Sequence, residues 1–391
     1  MTNRPTFDVA IAGGGIVGAA CALACAERGL KVVLVEKDVL GSGATAAGMG
    51  HIVVMDDSDA QFELTRYSQQ LWHKLAPTLP PSAEYEQRGT LWIAADEEEL
   101  DGAEQKLSRY SERSVPCRML TASELATAEP NLAPGFAGGL LVEEDGVVYP
   151  PTVALELARR AETLGASLIV GKAVSRIGES RIVLQDGTEV RAEALVLAMG
   201  ASSTDLRPDL PVRSRKGHLV ITDRYPGLVQ HQLVELGYLK SAHSTTADSV
   251  AFNVQPRQTG QLLIGSSRQF GAEHSDVDQP ILSAMLQRAA LYLPTVVNLS
   301  AIRVWTGFRA ATPDKLPLIG PDLHDRSLLL ATGHEGLGIT TSLATAELIA
   351  DMLTNRTSAI PQQPYLPARY AHDESGASQQ YPTTQEEQKL A

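Results

Sequence analysis

The residues of this 391-residue chain whose types and spacing best suit chemistry are three glycines and one acid. Gly13, Gly15 and Gly18 stand in the run Phe7-Asp-Val-Ala-Ile-Ala-Gly-Gly-Gly-Ile-Val-Gly18, and Glu36 closes Lys31-Val-Val-Leu-Val-Glu36. This spacing suits a dinucleotide. Gly13 makes the tight turn, Gly15 lets backbone amides approach a pyrophosphate, and Gly18 lets a helix pack closely on a strand, while Glu36 stands where ribose hydroxyls lie. The motif by itself does not separate NAD from FAD. A second candidate is Arg309, between Phe308 and Ala310, because a guanidinium in an apolar neighbourhood requires an anionic partner.

The elements that must position these groups follow from periodicity. The run from Phe7 reads as a strand, the alanine-rich stretch Ala19 to Ala26 as a closely packed helix, and Val32 to Val35 as the next parallel strand, which together make a βαβ unit. Gly41-Ser-Gly-Ala-Thr-Ala-Ala-Gly-Met-Gly50 is a small-residue loop that can present amides and the hydroxyls of Ser42 and Thr45. Helical spacing covers 59–76, 96–113, 152–164 and 279–292. Asp186-Gly187 marks a hairpin, and Ala194 to Gly200 reads as a buried strand entering a glycine turn. Extended segments near 218–222, 250–254 and 261–265 give the middle of the chain an antiparallel character, before a buried strand at Leu328 to Gly333 and a long helix from Ile339 to Leu353.

The predicted fold is therefore α/β, a Rossmann-like nucleotide domain interleaved with a mainly antiparallel-sheet substrate domain. The expected division gives 1–85, 145–212 and 303–368 to the former and 86–144 and 213–302 to the latter. A tail at 370–391, rich in Gln, Ser, Glu and Thr, is expected to be disordered. A formal net charge of −13 excludes nucleic acid and an anionic membrane surface as natural partners. Cys21, Cys25 and Cys117 lack any metal-ligand spacing, so no metal site and no iron–sulfur cluster is expected. Without a signal peptide or an apolar stretch of about 20 residues, the expectation is a cytoplasmic protein with no direct membrane insertion.

Taken in order, these pieces resemble the D-amino acid oxidase superfamily of flavoproteins, which includes glycine oxidase, sarcosine oxidase and D-amino acid dehydrogenases. The likeness spans residues 7 to 355. It rests on Gly13 to Gly18 with Glu36, the loop to Gly50, Leu195-Val-Leu-Ala-Met-Gly200, and Gly307-Phe-Arg-Ala-Ala-Thr-Pro-Asp-Lys-Leu-Pro317 with Gly333-His-Glu-Gly-Leu-Gly338. The resemblance implies FAD, with Ile16 and Val17 at the pyrophosphate and Glu36 on the ribose. Lys37, Ala44, Thr45, Ala47, Gly48 and Met49 would line the cofactor. Val174 matches a position whose backbone meets the adenine, although it reads equally well as an ordinary strand valine, and Gly200 ends the strand beside the site. His334, Glu335, Gly336, Leu337, Gly338, Ile339 and Thr340 would form the turn and helix N-terminus aimed at the flavin pyrimidine ring, where a helix dipole stabilises an anion.

By the same resemblance Arg309 would grip a substrate carboxylate bidentately. Where sarcosine oxidase carries the cysteine for covalent attachment, this chain has Ala310 and Ala311, which implies noncovalent FAD. Where glycine oxidase has a second arginine, it has Gly336. His51 and Tyr238 are further candidates for the reacting side, and the choice among Tyr238, Phe252 and Asn253 as pocket residues is open because strand facing is unresolved by one residue. A finer likeness, carried by the Gly333 to Thr341 run, Asn253-Val-Gln-Pro-Arg257 and Gly265-Ser-Ser-Arg-Gln269, is to the catalytic subunits of D-hydroxyproline dehydrogenase, opine oxidase and hydrogen cyanide synthase. It implies oxidation of the Cα–N bond of a small D-amino or imino acid, with hydride passing to flavin N5 to give an imine, cis-4-hydroxy-D-proline as the expected substrate, and companion electron-transfer subunits. An oxygen-using glycine or D-amino acid oxidase, an opine-oxidising subunit and an FAD-binding assembly subunit are the alternatives.

Overall fold

The structure, a computed structural model, describes residues 7–237, 248–272 and 274–371. Tyr238 and residues 372–391 of the expected tail lie outside the described residues. Two eight-stranded sheets carry the fold. The first runs in the order Leu318–Pro321, Leu328–Thr332, Glu189–Leu197, Phe7–Ala12, Val32–Glu36, Ser167–Val170, and a hairpin of Val174–Gly178 with Arg181–Leu184 extends from Glu189–Leu197. Its four central pairings are parallel. Val32–Glu36 and Leu328–Thr332 are buried along their whole length, as strands covered on both faces must be.

The alanine-rich helix Ile16–Glu27 lies against this sheet and touches the helices Pro150–Thr163 and Gly338–Thr354. Small side chains allow that approach on all sides. An added Cβ at Gly18 would stand 1.8 Å from Gly13 O, so no other residue fits there without moving the turn. The helix Asp59–Leu75 is started by Ser58, whose hydroxyl accepts from Gln61 N–H at 3.1 Å. Its Trp72 is fully buried in the same core.

The second sheet is ordered Ala301–Ala311, Arg213–Arg224, Gln261–Phe270, Ser249–Pro256, Gln232–Glu235, Thr90–Ala94, Gly138–Val142, Cys117–Thr121. It is antiparallel except where Gln232–Glu235 pairs with Thr90–Ala94 in parallel. One face is closed by the helix Gln279–Tyr292 through Phe252 and Tyr292, whose rings stack with centroids 4.5 Å apart. Periodicity missed Cys117–Thr121, Gly138–Val142 and Gln232–Glu235, which are short and start or end in glycine or polar residues. It also missed that Ala301–Ala311 is one continuous strand, so the expected division at 302/303 cuts a strand rather than a loop. Hydrogen bonding to Arg213–Arg224 along almost its full length keeps that strand extended.

Candidate active site

The first turn of helix Ile16–Glu27 has no side-chain cap from Gly15 and no acid of its own, so its positive end is met by groups from elsewhere in the chain. An added Cβ at Gly15 would meet only Thr45 Oγ1, at 3.1 Å, whereas one at Gly13 would run into Ala198 O at 2.5 Å. Gly13 is thus required by the turn, whereas Gly15 leaves the helix start open apart from the Thr45 hydroxyl. Glu36, at the end of its strand, is 7% exposed and accepts from Gly14 N–H at 2.7 Å and Asp38 N–H at 2.9 Å. A carboxylate has about four acceptor positions, so capacity remains for ribose hydroxyls. Amides at a helix N-terminus with a fixed acid beside them fit the diphosphate and ribose of FAD.

The loop Gly41–Gly50 joins this end to the second sheet. Thr45 Oγ1 accepts from Ile16 N–H at 3.0 Å. Ala47 lies against Gly307, where an added Cβ would approach it to 2.4 Å, Met49 packs on Gly265, and Gly48 faces Ile339. Ala44 opens the short helix Ala44–Ala47 of the loop, and Lys37 is exposed just beyond Glu36. The turn at Gly333 to Gly338 is held from behind. His334 Nε2 pairs with Thr345 Oγ1 at 3.0 Å, Thr340 Oγ1 donates to His51 O at 2.8 Å, and Thr340 O accepts from Ser68 Oγ and Trp72 Nε1. Leu337 closes the turn through its N–H to His334 O at 3.0 Å. Gly200, at φ 56°, is tied to the same strand end by Thr332 Oγ1 at 3.0 Å. Val174 begins its hairpin strand half-buried against the apolar core under the first sheet.

Arg309 lies on the face of the second sheet that meets this loop. Its register partner is Arg215, and Gly307 and Gly217 form the pair two positions along. Arg215 is opposite Phe270, which places Arg268, two residues earlier, on that same face. The Arg309 side chain lies over Gly217, where an added Cβ would stand 2.5 Å from Nη1, and donates from Nη1 to Ser267 O at 2.9 Å. Gly336 passes beside it, its added Cβ 3.8 Å from Arg309 Nε. Glu335 joins the group, with Oε1 2.9 Å from Arg215 Nη1 and Oε2 accepting from Gly336 N–H at 2.6 Å. Burial alone would raise its carboxyl, but Arg268, Arg309, Arg215 and the Gly336 N–H outweigh that and hold it down to about 2.

Sequence reading did not single out Arg215 and Arg268. The signal was available in Arg215-Lys-Gly217, whose period of two places arginine and glycine on one face once the segment is read as a strand. Facing decides the part of the open choice among Tyr238, Phe252 and Asn253 that lies within the described residues. Phe252 is buried on the helix side, so Asn253, opposite Gly265, points to the loop side. His51 sits in the short strand His51–Ile52 paired with Gly146–Val147; burial lowers its imidazole to about 4, against the raising effect of Gln255, so it is neutral near pH 7. His334 is held neutral by burial in the same way, at about 4. Its side chain turns toward helix Gly338–Thr354, where Thr345 meets it.

Comparison with known proteins agrees with this geometry. The family model described as "DAO: FAD dependent oxidoreductase" matches residues 8–352. Glycine oxidase of Geobacillus kaustophilus is 29% identical, covering 95% of this chain and 98% of that protein, and its crystal structure superposes with a TM-score of 0.83 over 93% and 98% of the two chains. Hydrogen cyanide synthase subunit HcnC of Pseudomonas aeruginosa is 26% identical, covering 94% and 97%. An L-proline dehydrogenase from P. horikoshii, at 22% identity and a TM-score of 0.83 over 94% and 98%, shares the fold. No helix among the described residues is long and apolar enough to cross a membrane, and no group of His, Cys, Asp and Glu among them could hold a metal ion.

Proposed function

The chain belongs to the D-amino acid oxidase family of FAD-dependent oxidoreductases, and from that premise we propose that it oxidises the Cα–N bond of a small D-amino or imino acid, with cis-4-hydroxy-D-proline as the leading substrate. The observation that carries this reading is Arg309, laid over Gly217 and beside Gly336 on the face that meets the loop Gly41–Gly50. Its fork offers two parallel N–H donors to a carboxylate and so fixes the orientation of the α-carbon. Arg309 has Ser267 O as a protein partner, which limits its rotation before substrate arrives. When bound, FAD supplies the hydride acceptor that turns the amine into an imine.

Ile16, Val17 and Gly15 would hold the pyrophosphate through backbone amides and Glu36 the ribose. Lys37 and the segment Ala44 to Met49 would line the cofactor, with Val174 and Gly200 at its nucleotide end. The turn from His334 to Thr340 would bring helix Gly338–Thr354 to the ring. Ala310 and Ala311, both buried, offer no thiol for attachment, in keeping with noncovalent FAD. His51 and Asn253 would bound the pocket on the side of the second sheet. We place the nucleotide function in the segments that build the first sheet and the substrate function in those that build the second.

The hydroxyproline preference rests on the Gly333 to Thr341 run, and likeness to HcnC, a protein named as a subunit, favours electron transfer to companion chains. Likeness to glycine oxidase favours a second reading, direct use of oxygen. Anaerobic mixing tests the class: the yellow oxidised flavin should bleach with one or more of the proline and hydroxyproline isomers, glycine, sarcosine or an opine. Bleaching with none of them overturns it. Peroxide from the purified chain alone selects the oxidase, and turnover only with an artificial acceptor selects the dehydrogenase.

A further inference from the structure

In every α-amino acid the amine and the carboxylate share one carbon, so the groups that receive them must be close neighbours in the pocket. Arg309 has such a neighbour in Glu335. The next residue, Gly336, passes beside the guanidinium and carries no side chain to separate the two. Glu335 is held in place from several sides: its backbone is in the left-handed region at φ 49°, Arg215 pairs with Oε1 at 2.9 Å, and its side chain is 16% exposed. Beyond Gly336 N–H and Arg215 it keeps acceptor positions on both oxygens, because a carboxylate offers about four. The surrounding guanidinium groups keep it an anion.

An anion beside the clamp has an unfavourable side, because it repels an incoming carboxylate. A ligand that carries a cation next to its carboxylate turns that repulsion into attraction. Resting on the amino acid reading above, we infer that Glu335 receives the substrate's ammonium while Arg309 receives its carboxylate, so the pocket recognises a zwitterion at both ends. Glu335 thereby passes from the cofactor-lining role implied by resemblance to a substrate-binding one. Arg215 positions it and does not itself touch the amine.

The test compares a zwitterion with its isostere lacking the amine, by calorimetric titration, without oxygen, of the FAD-loaded protein whose flavin has first been chemically reduced so that no ligand can be oxidised. D-Proline and cis-4-hydroxy-D-proline serve as the former and cyclopentanecarboxylate as the latter. Glu335→Gln should weaken both amino acids at least about tenfold, the scale of a charge-assisted hydrogen bond, and leave cyclopentanecarboxylate unchanged or tighter. Arg309→Met should weaken all three. Equal weakening of amino acid and isostere by Glu335→Gln would show a purely structural glutamate and overturn the inference, as would no change in either. If the glutamine variant fails to retain flavin, Glu335→Asp keeps the charge on a shorter arm and should weaken the amino acids selectively; parallel weakening of the isostere again overturns the idea. If the wild-type protein binds the isostere through Arg309 but none of the amino acids, the inference fails. If it binds neither and no amino acid bleaches the flavin, the functional reading fails with it.

Discussion

Where the first sheet meets the loop Gly41–Gly50 it offers backbone amides set by glycines, and where the second sheet meets that loop it offers guanidinium groups and one carboxylate. The nucleotide end is built from alanine, valine and glycine with Glu36 as its buried acid. The other end crowds Arg215, Arg268, Arg309 and Glu335 onto one face. On the function proposed above, the difference follows from what each end would hold. A diphosphate can be bound by oriented amides at little cost in flexibility, whereas a small carboxylate that must be aimed needs the rigid fork of arginine. Buried acids elsewhere show how local this is. Asp145, fully buried and remote from the three arginines, accepts from Val54 N–H and Gln69 Nε2, yet burial still pushes its carboxyl up to about 7 despite Thr90, Val54, Lys106 and Gln69. Glu335 is driven the opposite way.

The comparison can be broken most sharply at the backbone end. Gly18→Ala should cost about 3 kcal/mol or more, because the new Cβ meets a carbonyl oxygen that cannot retreat without opening the turn, and the purified variant should carry almost no flavin. Flavin absorbance per chain together with a thermal melt reads both effects; a variant that keeps full flavin would show that close packing is not what shapes the site. At the guanidinium end, Arg309→Met should lower kcat/KM about 100-fold or more while flavin content stays normal. Loss of flavin along with activity would merge the two regions into one.

Gly217→Ala sharpens the distinction, since its Cβ would displace the Arg309 guanidinium without touching the nucleotide end. A rise in KM of about tenfold with unchanged flavin content and melting temperature is expected, and steady-state kinetics measures it. An unchanged KM would mean that the arginine has a second equally good resting place. The smallest effect concerns pH. Because the folded carboxyl of Asp145 titrates near 7 and its ordinary value is 3.8, the folded state holds a proton there that the unfolded chain has lost, so stability falls as pH rises through that window. His51 and His334, lowered to about 4 from 6.5, act in the opposite sense as pH drops below 6.5. Urea unfolding at pH 5 and pH 8 should therefore show Asp145→Asn gaining on the wild type by about 2 kcal/mol at the higher pH. Parallel behaviour of the two would mean that this carboxyl is ionised throughout.

Much of the nucleotide end was legible because its information is local. Gly13, Gly15, Gly18 and Glu36 lie within one βαβ unit, and each glycine's task follows from a turn or a close approach inside that unit. The helices at 59–75 and 279–292 were legible for the same reason, as one-sided apolar patterns with clear ends. Arg215 and Arg268 were not, because a strand's sequence shows that alternate residues share a face but not which face turns toward the loop. The partners of Glu335 were not legible for a related reason, since they arrive from strands far away in the chain. Facing at Phe252 and Asn253 was decided by the stacking of Phe252 on Tyr292.

The sequence by itself pointed to a dinucleotide and, at Arg309, to an anionic partner, since glycine spacing and a lone arginine among apolar residues express their needs within a few residues. Only the tertiary structure decided that three arginines and one glutamate from separate strands and a turn stand together. That grouping depends on strand register and sheet facing, which are set by the packing of the whole core rather than by any local run of residues.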